Sequence, residues 1–161
     1  MDRWDVKLSR TELAEALGFA MALLEASREL PDKWGAAREE VTWQEMGWRE
    51  INGAAGHRAV CKAYPWMPWE PRVNTFHDPD IPPDIQARTR DPWNYPDPEL
   101  GFHEGDPENH RYVHVVGRWY RFRIMGWAWG REVHHPRFRH RSGVYYYPDR
   151  MLRPPETLVP P

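Results

Sequence analysis

Asp80, Gln86 and Arg88 are the residues whose types and spacing point most directly to chemistry. They lie in the stretch 73–90, VNTFHDPDIPPDIQARTR, which opens like a strand, breaks at Pro79, Pro82 and Pro83, and resumes as Ile85-Gln86-Ala87-Arg88. An extended chain alternates its side chains, so Gln86 and Arg88 share one face and Ile85 and Ala87 the other. An acid before a turn and a polar–x–cation strand after it suit two readings. In one, oxygen ligands hold a divalent metal beside a scissile phosphate, with the cation near the attacking water or the phosphate. In the other, the stretch is a proline-rich hairpin.

The elements before this stretch must carry it. Ser9-Arg10-Thr11-Glu12 fits a capping box after an extended lead-in, and Leu13, Leu17, Ala20, Met21 and Leu24 recur at helical spacing up to Pro31. A helix over 9–30 follows. A second helix is predicted from Trp48 to Tyr64, with Gly53, Ala54, Ala55, Gly56 and Ala59 as a small-residue face. Glycine costs roughly 1 kcal/mol inside a helix, so two of them imply a backbone or a site-bearing strand approaching closely. After the stretch, residues 91–109 read as an acidic loop containing Trp93, Tyr95 and Phe102. Tyr112 to Val116 and Trp119 to Trp129 read as a hairpin turning at Gly117-Arg118, with Tyr120, Phe122 and Ile124 as core and Arg121 and Arg123 on the other face. Residues 144–147 read as a last strand and 155–161 as a loose, proline-rich tail.

Composition bounds the class. The chain has 161 residues, 40% hydrophobic and 14% aromatic, which excludes a disordered polypeptide and predicts one domain over 1–161. No apolar run reaches membrane-spanning length and no signal-peptide pattern opens the chain, so an intracellular, cytoplasmic protein with no membrane partner is expected. Cys61 is the sole cysteine, which excludes an intrachain disulfide and a cysteine-based zinc site. The net charge of −2 hides a segregation. Residues 78–108 hold nine acids against two bases, and residues 111–153 hold ten arginines against two acids. Arginine interleaved with aromatics suits phosphate and base contact, with Arg121, Arg123, Arg137, Arg139 and Arg141 as the candidate nucleic-acid contacts. Pairing of the basic half with the acidic half inside the fold explains the same pattern equally well.

The order of motifs carries a resemblance. A helix with G-A-A-G-H-R-A-V-C-K (53–62) precedes V-N-T-F (73–76), P-D-I (79–81) and I-Q-A-R-T (85–89), and the chain closes with G-W-A-W-G (126–130) and Y-Y-Y-P-D-R-M-L-R-P (145–154). This order resembles small phage and bacterial proteins related to the PD-(D/E)XK nuclease superfamily, over residues 48–154. The resemblance implies a restriction-endonuclease-like core, DNA as partner and Mg²⁺ as cofactor. It implies that Asp80 is the metal-binding aspartate, that Gln86 stands for the E-x-K glutamate as the second metal ligand, and that Arg88 stands for its lysine. The family's helix acid then falls at His57 or at Glu50. Three of the four positions depart from the pattern. Gln86 has an oxygen but no charge, Arg88 transfers protons poorly, and the His57 nitrogen suits Mg²⁺ badly.

The expected fold is therefore α+β with an α/β-like core: two N-terminal helices packed on a small mixed β-sheet from residues 73–90, 112–129 and 144–147. Two functions are expected from it. One is a nuclease-fold protein acting on or binding DNA, with metal-dependent phosphodiester hydrolysis at Asp80, Gln86, Arg88 and His57 or Glu50. The other is a catalytically inactive phage accessory or structural protein whose partner is another protein. His110, His114, His134, His135 and His140 do not have the spacing of a zinc site and read as surface histidines.

Overall fold

The computed structural model describes residues 3–29, 43–70, 84–94 and 99–161. The strand opening at 73–76, the turn prolines and Asp80 lie outside the described residues. The described chain is mixed α+β: β1 (Asp5–Lys7), α1 (Arg10–Glu29), α2 (Trp43–Ala63), β2 (Ile85–Arg90), β3 (Leu100–Phe102), β4 (Arg111–Arg118), β5 (Arg121–Trp129), α3 (Gly130–Val133) and β6 (Tyr145–Tyr147).

Helix α1 starts where its capping box dictates. The Ser9 N–H donates to Glu12 Oε2 at 2.7 Å, and the Glu12 N–H to Ser9 Oγ at 3.2 Å. Its buried stripe is Ala16, Phe19 and Ala20, flanked by Leu13 and Leu23, whereas the predicted Leu17 and Met21 are exposed. The face has rotated because alanines let neighbouring backbone close in, where Leu and Met would hold it off. Helix α2 begins at Trp43, earlier than predicted. A Cβ on Gly56 would lie 1.9 Å from Thr89 Oγ1 of β2, so this glycine admits the strand. Gly53 faces open space and has no such role.

The main sheet has the order β1-β5-β4-β2, with β2 parallel to β4 and the other pairs antiparallel. β4 is central and covered on both faces, which is why six of its eight residues are buried. On one face, Ile85, Ala87, Val113, Val115, Phe122 and Ile124 join the two long helices in the larger core. On the other, Tyr112 and Ala128 pack with Leu100, Phe102, Tyr145 and Tyr147. The last four belong to a β3–β6 ribbon that lies over the sheet. Residues 144–147 were expected to extend the main sheet. Their strand instead pairs with Leu100–Phe102, from a segment that reads as loop because three residues are too few to show a period.

The β4–β5 turn also differs from its prediction. Gly117 stays in the strand, where a Cβ would lie 2.6 Å from the Phe122 ring, and the turn is Trp119-Tyr120. Tyr120 is consequently 40% exposed rather than core. Trp119 has φ 63°, a conformation that hairpin turns usually give to Gly or Asn. A bulge between His114 and Val115 sits opposite Gly126, whose φ of +152° a larger residue would resist. The tail is not loose. Leu158 is buried, the Arg111 guanidinium donates to the Val159 carbonyl at 2.6 Å, and Trp127 Nε1–H donates to Thr157 Oγ1 at 2.9 Å. No helix among the described residues is long and apolar enough to cross a membrane.

Candidate functional site

Gln86 and Arg88 share a face of β2, as the alternation requires, and are bonded to each other. Arg88 Nη2 donates to Gln86 Oε1 at 3.1 Å and to Asp106 Oδ1 at 2.7 Å. The Gln86 amide donates to His110 Nδ1 at 3.2 Å, and Arg88 lies 5.3 Å from the Tyr112 ring centre. Both side chains therefore point to the ribbon side of the sheet. His57 approaches from the helix side: its buried ring donates through Nε2–H to the Ala87 carbonyl at 3.2 Å. Glu50 and His57 are seven residues apart on α2, two turns along one face.

β2 is the last strand in the order of the described sheet, so one cleft reaches side chains from both of its faces. The cleft, of about 1080 Å³, is lined by Glu50 and His57 from α2, Arg88 and Arg90 from β2, and Arg118 from the end of β4. Gln86 lies behind Arg88 and does not line it. Glu50, His57 and Arg88 thus line one cleft from the two sides of β2, and Gln86 lies one step removed.

The sequence reading missed Arg49, Arg90, Asp91, Trp93 and His103, which also line the cleft. Arg88-x-Arg90 had the alternation that signals a shared face. Asp91 had no such signal, yet it organises one end. It is buried, accepts from Trp48 Nε1–H at 3.3 Å and from the Trp93 N–H at 3.0 Å, and lies 3.5 Å from Arg118 Nε. The Arg118 guanidinium in turn lies 4.8 Å from the Trp48 ring centre and 5.9 Å from that of Trp93. The His103 ring, although exposed at its surface, is shifted below the ordinary imidazole value by partial desolvation, with Asp106 opposing and Arg88 and Arg90 pushing the same way. At neutral pH its ring is therefore neutral, and the positive charge of the cleft comes from arginine.

Internal pairing consumes a large share of the segregated charge. Arg88 pairs with Asp106, Arg111 with Asp84, Arg118 with Asp91 and Arg139 with Glu104. The last three of these pairs join the acidic stretch to the basic half, whereas Arg88–Asp106 lies within the acidic stretch. Of the five arginines predicted as nucleic-acid contacts, Arg121 and Arg123 lie exposed on β5, and Arg137, Arg139 and Arg141 lie in the exposed segment after α3. None of the five lines the cleft. His114 is fully buried with its Nδ1 2.8 Å from Asp149 Oδ1, which removes it from the surface reading.

The described residues do not by themselves fit a magnesium ion. No group of three or more His, Cys, Asp or Glu side chains among them could hold a metal. The Gln86 carbonyl oxygen is already engaged by Arg88, and Asp80 lies outside the described residues. Comparison of the chain with protein-family models, with curated proteins and with solved structures finds no match.

Proposed function

We propose that this protein binds DNA in the cleft between α2 and β2, using a divergent nuclease-like core as a binding scaffold. The observation that carries the reading is the Arg118 guanidinium seated against the Trp48 and Trp93 indoles, in a cleft that also receives Arg49, Arg88 and Arg90. Guanidinium groups neutralise phosphates and indoles accept base faces, so the pairing of the two is suited to a nucleic-acid strand. The nuclease-like ancestry is supported by the helix carrying G-A-A-G-H-R packed through Gly56 against the strand carrying I-Q-A-R-T.

The test is binding of labelled DNA by fluorescence anisotropy across a salt series. Affinity should fall as salt rises, because phosphate neutralisation releases counterions. Salt-independent binding, or none, refutes the reading and favours the interaction-protein alternative with a protein partner.

Metal-dependent hydrolysis is the second reading. It is favoured by the placement of Gln86 and Arg88 on one face of β2, at the two positions where the superfamily keeps its glutamate and lysine, and it requires the Arg88–Gln86 bond to open so that Gln86 Oε1 can reach a metal. It requires Asp80 to supply the charged metal ligand. Nicking of DNA with Mg²⁺ or Mn²⁺ that disappears in Asp80→Ala would support it, and nicking that survives in Asp80→Ala would remove Asp80 from the site.

A further inference from the structure

We propose that the Trp48–Trp93–Arg118 end of the cleft is a stacking site for an unpaired nucleobase, so that the protein prefers a single DNA strand to closed duplex. This rests on the DNA-binding reading above and deepens it.

Three observations carry the inference. The first is presentation. Trp93 is 81% exposed, yet its backbone is held by Asp91 at 3.0 Å, so a large indole is offered to solvent from a fixed base. The second is polarity. The Arg118 guanidinium, paired on one side with Asp91, lies 4.8 Å from the Trp48 ring centre and 5.9 Å from that of Trp93, so a base placed on the Trp93 indole has a guanidinium near it. The third is backbone strain. Trp119 is 55% exposed, occupies the left-handed region at φ 63°, and meets Trp48 edge-on with ring centres 4.7 Å apart. A bulky aromatic thus occupies a glycine-type turn position at a conformational cost, and its side chain packs on the Trp48 indole that lines the cleft.

A single strand matches this arrangement and a duplex does not. In closed duplex the base faces are already stacked on one another, which leaves backbone and groove edges but no free base face for the cleft. In a single strand each base offers a free π-face, and indole stacking does not depend on which base it is. Asp91 is a positioning residue here: it ties Trp48, Trp93 and Arg118 together.

Three probes test the proposal by anisotropy: an oligothymidine, the same strand made abasic, and a duplex with both ends closed by hairpin loops. Wild type should bind the oligothymidine more tightly than the other two. Trp93→Ala should weaken the oligothymidine roughly tenfold, within the range of a lost base–aromatic stack, and cost the abasic strand and the closed duplex much less. Trp93→Phe should restore most of the loss. Because Trp93 is exposed, its thermal melt should match wild type, which separates stacking from folding. An equal loss on all three probes, or no loss on the oligothymidine, overturns the stacking site and leaves DNA binding standing. Failure of the wild type to bind any of the probes overturns both readings.

Discussion

Arg90 of β2 crosses Gly101 of β3 so closely that a Cβ on residue 101 would lie 1.5 Å from the guanidinium Nη2. Arg90 also lines the cleft, so the missing side chain at 101 sets where one of its cations sits. Gly101→Ala should displace the flexible end of Arg90 rather than unfold the ribbon. DNA affinity is expected to fall several-fold with the slope of the salt dependence reduced by about one, as for a lost phosphate contact. Anisotropy over a salt series and a thermal melt check this. A large drop in melting temperature with an unchanged slope would contradict it.

Gly56 and Thr89 make the corresponding contact on the other face of β2. The clash of a Cβ at 56 with Thr89 Oγ1, Cγ2 and Cβ involves a short, branched side chain that cannot swing away. Gly56→Ala should destabilise the fold by about 1–3 kcal/mol, the usual range for overpacking. Adding Thr89→Ala removes the two nearest atoms and should recover part of that loss in urea melts. Additive losses in the double variant would show that the two residues do not press on each other.

Glu132 and Arg153 tie α3 to the segment after β6. Arg153 Nη2 donates to Glu132 Oε1 at 2.6 Å, and this bond holds the Glu132 carboxyl below the usual carboxylate range, with burial opposing and the Trp129 N–H helping. A depressed folded-state pKa means that the stabilisation is present above the unfolded value of about 4.3 and is lost as pH falls through the lower folded value. Glu132→Gln should therefore lower the melting temperature at neutral pH, and the gap to wild type should close as pH falls below the unfolded carboxylate value of about 4.3. A constant gap across that range would refute the linkage. Both side chains are about a third exposed, so the effect is a shift of a few degrees at most.

His103 lines the cleft with its pKa held low by partial desolvation and by Arg88 and Arg90. A phosphate bound there would stabilise the imidazolium, so DNA held in the cleft as proposed should take up a proton at this ring. Affinity should rise as pH falls below the ordinary histidine value of about 6.5. His103→Gln should flatten that rise while leaving affinity at about pH 8 within twofold of wild type. An unchanged pH profile in the variant would place the proton elsewhere.

The sequence by itself determined the features set by near neighbours. The capping box at Ser9 and Glu12 starts α1 because its two bonds span only three residues. The alternation in β2 and β5 gave Gln86 and Arg88 one face and buried Phe122 and Ile124 on theirs, because the pleat has a period of two wherever the strand pairs. Gly56 announced a close approach that Thr89 fulfils, because a glycine inside a helix is costly without one. Tertiary structure alone decided the rest. Whether segregated charges face a ligand or each other depends on which segments dock, and Arg111 finds Asp84 only because β2 and β4 lie side by side. The turn at Trp119-Tyr120 moved because Gly117 must pass the Phe122 ring, a fact about register and not about turn propensity. The cleft itself joins Trp48 to Asp91 across 43 residues of chain, and Asp91 to Arg118 across a sheet. No local pattern encodes such a contact, because it is set by how helix and sheet pack and not by the spacing of residues along either.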